Sequence, residues 1–428
     1  MAGYYANLTA GLRRIGLETD FVTCTNHPFQ YGGETVEPHA LKMMKSFDER
    51  RRRYGRLTPL RLLFAMLSEV CRFAWFMTAI TRYQAFIFGF GHSLLPWNVD
   101  LPILRALGKR IVSNLGHGSE ARPPYINGAF RRPDGSAVDL YELAVGTVRR
   151  KRLLAWHQRF CSVVVGAPFS TASLSTGSFV NFIALGLPVG FDGPEPNPHP
   201  WTRTVCTDPH CVRVVHAPSN PRAKGTQEIL KAIDWVRAQG IEIELVLLIG
   251  KPHSEVVSEL RRCDFVVDQI YSDVPMAGLA AEAAWLGRPT IVGGYGLSRL
   301  RRHVPHELWP ISRLCEPDEI RLAIRELALD ATQRASLGKA AQDFVHANWA
   351  APVVAKRFLR LLSGDIPDDW LVDPCDVVHL EGWGQPAELS RERVRALVSR
   401  YGVQALQLSH RPDLEQAFLE FAGLTKPR

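Results

Sequence analysis

Two residues of this chain stand in settings that imply binding chemistry, Lys224 and Glu282. Lys224 lies in HAPSNPRAKGT, residues 216–226, between the apolar run CVRVV and a helix-patterned segment with Ile229, Leu230, Ile233 and Val236 on one face. The spacing puts a cation at or just before a helix N-terminus, where the helix dipole is already positive and the two repel by a few tenths of a kcal/mol. An anion placed between them reverses that sign. The unpaired N–H groups of the first turn, Lys224 and Arg222 therefore form a candidate phosphate or diphosphate site. The plain alternative is a solvated lysine on a surface turn.

Glu282 lies in DVPMAGLAAEAAWLGRP, residues 273–289, as the one carboxylate of an otherwise uncharged helix pattern. Its neighbours at three and four residues are Gly278, Leu279, Trp285 and Leu286, so it points along the apolar side, where an unpaired carboxylate is costly. A partner is expected. The vicinal hydroxyls of a ribose can each donate a hydrogen bond to one carboxylate. Gly278, one turn earlier, lets a ligand approach the backbone closely. The alternative is a glutamate near a helix start that favours the dipole and reaches water.

The surrounding pattern supplies a scaffold for both loops. In the C-terminal half, CVRVV, EIELVLLIG, FVVD and PTIVGG alternate with helix-like segments, which predicts right-handed βαβ units and a parallel sheet. Ligands on such sheets bind at the carboxyl ends of the strands, where both loops lie. The N-terminal half repeats the scheme less regularly. Strands are expected at ETDFVT, QAFIFGF, RIVSNL and SVVVGA, and helices near 4–15, 40–52, 59–81, 99–107, 138–158 and 168–175. A proline-rich stretch, 193–210, reads as a linker between domains 1–192 and 211–362. Residues 316–362 look helical, and 363–428 make a small mixed appendage with a helix at 391–399.

These features resemble the nucleotide-sugar half of GT-B glycosyltransferases, in particular the retaining group called group 1 or family 4. Members carry a Lys-Gly after the first strand of the C-terminal domain, matched here by Lys224-Gly225. A later Glu-x7-Glu motif, an alanine-rich helix and Gly-x-Pro are matched by Glu282 and Gly287-Arg288-Pro289. Two positions depart. Val274 stands eight residues before Glu282, so the carboxylate that holds the donor sugar is replaced, with Asp273 adjacent, and the usual Arg five residues before the lysine is Ser219. The likeness extends to about residue 362 from the chain start. DLPILRALGKRIVSNLGHGSEAR resembles the acceptor-domain segment ending in a His-Gly loop, here His117-Gly118-Ser119-Glu120, and LPVGFD resembles the segment closing that domain.

The resemblance implies an α/β, GT-B architecture of two Rossmann-like domains facing a cleft. It further implies sugar transfer from a nucleoside diphosphate sugar to a hydroxyl acceptor with retention, without a metal or other cofactor. Gly278 and Leu279 would then offer backbone amides, Asp273 would lie near the donor and His117 would face the transferred sugar. The chain opens helically, at MAGYYANLTAGLRRIGLETDF, where members of the fold open with a strand and a glycine turn; the first strand is expected to be missing, either from a late start, the preferred reading, or from loss of a central strand. Two alternatives follow, a nucleotide-sugar 2-epimerase and a non-catalytic nucleotide-sugar-binding or scaffold protein of the same fold.

Composition bounds these readings. The chain has 428 residues, 46% hydrophobic and 22% charged, enough for two or three domains with their own cores. A net charge of +8 suits acidic substrates or a membrane surface but is too mild to imply nucleic acid. The eight cysteines show no C-x-x-C, and Cys206, His210, Cys211 and His216 fit no familiar zinc spacing, so reduced thiols in a cytoplasmic protein are expected. Glu49-Arg50-Arg51-Arg52-Arg53, Arg56 and the amphipathic segment 60–80 are a candidate contact with anionic lipid at the inner membrane face. Its alternative, and the preferred one, is a solvated basic face beside a core helix. The acceptor is open among glycan, lipid and small molecule.

Overall fold

The computed structural model describes residues 3–23, 36–54, 58–132, 134–190 and 211–424. Two five-stranded sheets organise them. The first holds β1 (Ala85–Gly89), β2 (Arg110–Asn114), β3 (Val163–Gly166) and β4 (Phe179–Asn181) in chain order and parallel, with β10 (Leu371–Val372) antiparallel to β4. The second holds β5 (Val212–His216), β6 (Ile243–Leu247), β7 (Phe265–Gln269), β8 (Thr290–Gly293) and β9 (Arg313–Cys315), all parallel, in the order β6-β5-β7-β8-β9. The inner strands β3, β7 and β8 are buried along their whole length, as helices on both faces of a parallel sheet require. The two Rossmann-like halves expected from the alternation are present, facing a cleft.

The second sheet reverses direction between β5 and β7, and such a reversal opens a crevice at the carboxyl ends of those strands. Among the described residues β1 is the first strand and pairs only with β2. The strand expected at ETDFVT does not form: residues 18–23 are irregular. Only Phe21 and Val22 are strongly apolar there, and as neighbours they point to opposite faces, so no apolar face exists to bury. β4 and β9, three residues each, are too short to carry a periodic signal. The 193–210 linker, with Cys206 and His210, and Arg56 lie outside the described residues.

Helix α1 (Gly3–Arg14) buries Tyr4, Leu8 and Leu12 against the helix Ala351–Ser363. The two backbones nearly touch, since a Cβ on Gly11 would sit 2.2 Å from the Ala351 carbonyl oxygen. A glycine is required at that crossing. Trp349, whose carbonyl accepts from Val189 N at 2.8 Å, marks the return of the chain to the first half. The last segment then joins that half. β10 extends its sheet, and the helix Ala387–Tyr401 packs on the helix Leu140–Phe160 through a cluster of Tyr125, Leu143, Val394, Leu397 and Phe418. Helices α2 (His39–Arg52) and α3 (Pro59–Arg82) form a hairpin, with Ser68 Oγ donating to Asp48 at 2.9 Å.

Candidate functional site

A cavity of about 340 Å³ lies between the two halves, lined from both. Its second-half wall is made of Asp268 within β7 and of segments that follow β5, β6 and β7: Ala217 to Ser219, Gly250 and Lys251, and the start of the helix Gly278–Trp285. The facing wall comes from Gly3, Tyr4 and Asn7 of α1, Phe90 after β1, His117 and Ser119 after β2, the 187–189 turn and Trp383. The carboxyl ends of strands in both sheets thus converge on one space. That volume falls within the range of small-molecule sites, roughly 300–1,000 Å³.

Lys224 reaches this cavity from the single turn Pro221–Lys224. Gly225 follows in the left-handed region, φ 71°, before the helix Thr226–Arg237 begins. A Cβ there would lie 2.4 Å from Ile270 Cγ1, so both the turn and the packing demand glycine. The lysine stands just before a helix N-terminus, as its spacing predicts, yet it is not a solvated surface residue. Its Nζ donates to Asp268 Oδ1 at 3.1 Å, and Asp268 is buried with its Oδ2 lacking a hydrogen-bond partner. An ammonium has three donors, so the pair leaves Lys224 able to meet a further anion. His216 anchors this corner. A carbonyl can only accept, so its Nδ1 donates to Val267 O and its Nε2 accepts from the Thr226 hydroxyl, both at 2.8 Å. Burial pushes its imidazole down to about 4, and it stays neutral.

Glu282 lines the same cavity and has the partner its apolar setting calls for. His253 Nε2 lies 3.0 Å from Glu282 Oε1, and that hydrogen bond raises the histidine above its ordinary value. Both side chains are about one-quarter exposed, so they can meet a ligand without being dismantled. One turn before Glu282 the helix Gly278–Trp285 begins at Ala277 with no side-chain cap, and its first residues, Gly278 and Leu279, face the cavity. An uncapped first turn offers N–H groups and a positive dipole end to an anion.

Two expected site residues are placed elsewhere. Arg222 is exposed and does not line the cavity; it lies near Arg131 and Arg393, whose guanidiniums are lowered by burial first and then by neighbouring charge, that of Arg222 for Arg131 and those of Arg131 and Arg222 for Arg393. Lys251, at the carboxyl end of β6, is the second cavity cation in its stead, 3.0 Å from Glu255. Asp273 does not line the cavity. It is buried and tied to Arg122 and Ser170 of the first half, and although burial pushes its carboxyl up, those partners hold it below the usual range. Val274 is packed into the apolar cluster shared by the two halves. Nor do Glu120 and Arg122 pair with each other: Glu120 accepts from Ser119 at 2.7 Å, and Arg122 meets Asp273 and lies 4.6 Å from the Trp383 ring centre.

His117 is on the opposite wall of the cavity. Its ring stacks on Phe90 at 4.5 Å and meets Tyr4, Tyr5 and Phe182 edge-on, with Tyr5 Oη 3.2 Å from Nε2. Burial depresses it to about 3, so it meets the cavity as a neutral imidazole. Lys251, His253 and Asp268 escaped the sequence reading. Lys251 was findable, since LVLLIGK ends a strand on the ligand-binding side of the sheet, whereas Asp268 reads as an ordinary strand end.

No family model and no curated protein matches the chain. Among solved structures it is similar to S. aureus TarM, crystallised as a point mutant in complex with fondaparinux, alpha-GlcNAc-glycerol and UDP, at 10% identity and TM-score 0.38, over 59% of this chain and 50% of that one. The match thus spans half the length of that protein. It is also similar to Anabaena HepE in complex with UDP and glucose, at 14% identity, TM-score 0.40, 69% of this chain and 81% of that one. The spinosyn rhamnosyltransferase SpnG matches at 13% identity and TM-score 0.39 over 85% of this chain and 96% of that one.

Proposed function

We propose that the cleft binds a nucleoside diphosphate sugar and that the protein transfers the sugar to a hydroxyl acceptor. The observation that carries this is the second-half wall, where Lys224, Lys251 and the uncapped start of the helix Gly278–Trp285 flank Glu282 around one cavity. In this reading the diphosphate lies between the lysines and the Gly278 and Leu279 amides, and Glu282 accepts hydrogen bonds from the ribose. His253 positions that carboxylate. The acceptor oxygen bonds to the anomeric carbon as its bond to the diphosphate oxygen breaks, the acceptor's hydroxyl proton passes to the departing diphosphate, and the lysines and helix dipole stabilise the charge developing on that diphosphate more than they stabilise the bound substrate. His117, neutral, faces the sugar. Retention and independence of divalent metal are part of the proposal through the GT-B resemblance.

A second reading has a specific observation in its favour. Val274 stands where the resemblance places a donor-holding carboxylate, and Asp273 is engaged between the halves, so a nucleotide-sugar binder without turnover fits those two positions. Calorimetric titration with nucleoside diphosphates, followed by product analysis with a panel of nucleotide sugars, separates the two. Binding with transfer or donor hydrolysis supports the enzyme; binding with neither supports the second reading; no binding of any nucleoside diphosphate overturns both.

A further inference from the structure

Helix α3 is apolar on two opposite faces, and only one of them is covered. Ser68, Trp75, Phe76 and Ala79 turn inward, while Leu62, Leu63, Met66, Val70, Phe73 and Met77 are between 45% and 69% exposed. Their spacing of one, three and four residues draws a single stripe, roughly 22 Å long at 1.5 Å per residue. Only 22% of the most apolar window of this helix is buried, so 60–80 is a core helix on one face alone. A soluble protein seldom leaves so continuous an apolar surface bare.

Charge identifies what covers it. The hairpin partner α2 ends in Arg50, Arg51 and Arg52, followed by Arg53. Arg51 is paired with Asp48, but among the described residues Arg50, Arg52 and Arg53 form no ion pair and are exposed. A second copy docking through a two-fold contact would bring the same arginines toward one another. Anionic phosphates at the edge of an apolar layer satisfy both features at once. Although α3 is long and apolar enough to cross a bilayer, its inner face is held by α2 and the protein core, so it lies along a surface.

We propose that the α2–α3 hairpin docks the protein on an anionic lipid bilayer, with the Leu62-to-Met77 stripe among the outer acyl segments and Arg50, Arg52 and Arg53 on lipid phosphates. The test uses the full chain and sedimentation with vesicles of phosphatidylglycerol and phosphatidylcholine, against phosphatidylcholine alone. The native chain binds the anionic vesicles at least tenfold more tightly, and high salt weakens that binding. Met66→Glu with Phe73→Glu abolishes it; Arg50→Glu with Arg52→Glu and Arg53→Glu removes the preference for anionic lipid. All five side chains are exposed or flank the bare stripe, and thermal unfolding by circular dichroism checks the variants, with Phe73→Ser as a milder substitute. Absence of vesicle binding by the native chain overturns the proposal. So does binding unchanged by both sets of substitutions, or a dimer in sedimentation velocity that Met66→Glu dissociates. Nucleotide affinity is unaffected by these changes, so failure here and failure of the cleft assignment are separate results.

Discussion

Two cation–carboxylate pairs between and beside the halves are of opposite design. Arg122 and Asp273 are 3% and 7% exposed, join residues 151 positions apart, take in Ser170 and are capped by the Trp383 ring. Arg122, Ser170 and Asp273 do not line the cavity; they tie one half of the protein to the other. Lys224 and Asp268 are 15% and 1% exposed, border the cavity and leave one carboxylate oxygen without a partner. The first pair stands off the cavity, and the second borders it with a carboxylate oxygen to spare. Burial alone therefore does not mark a functional charge; incomplete satisfaction at a cavity does.

The sharpest break of this contrast is Asp273→Ala. It strands Arg122 in the interior, and removing one partner of a buried pair costs about 3–5 kcal/mol, read as a lowered denaturation midpoint in urea. A loss near zero would mean that the interdomain pair is not a lock. Gly225→Ala should follow, destabilising by about 1–3 kcal/mol because the residue needs positive φ and would press on Ile270, with a similar readout.

Changes at the open site should act on binding. Glu282→Gln is expected to weaken nucleoside diphosphate affinity by about 1.5–3 kcal/mol in calorimetry with little change in midpoint. Unchanged affinity would remove Glu282 from the site. The same substitution should lower the His253 titration seen by NMR. His253 is raised in the folded protein, so its stabilisation by Glu282 is full below the ordinary histidine value and lost as pH rises through the raised one. Lys251→Ala, at a half-exposed lysine, should give the smallest effect, a few-fold loss of affinity that fades with salt.

Acid tests the surrounding scaffold. His117 at about 3, and His157 and His216 at about 4, are depressed by burial from 6.5, so their folded forms are neutral. The stability they support is complete above 6.5 and falls as pH drops from there toward 3–4, since the unfolded chain takes up those protons first. Midpoints measured across that range should decline steadily.

Much of this was legible in the sequence. The second sheet showed in four apolar runs separated by helical spacing, and Lys224, Gly225, Gly278 and Glu282 showed because each sits in a local pattern whose cost has to be met somewhere. His253 was hidden because nothing local announces that it meets Glu282, 29 residues on. Asp273 was misjudged for the same reason, and β10 because a two-residue strand has no period.

The sequence by itself determined the alternation of strands and helices, the glycine turn beside Lys224 and the need for a partner at Glu282, since these follow from side-chain periodicity, backbone sterics and the cost of burying charge. Only the tertiary structure decided which partner each charge meets, that Lys251 and not Arg222 borders the cavity, and that the outer face of α3 stays bare. Those outcomes depend on distances between residues far apart in the chain, which packing sets and spacing along the sequence does not.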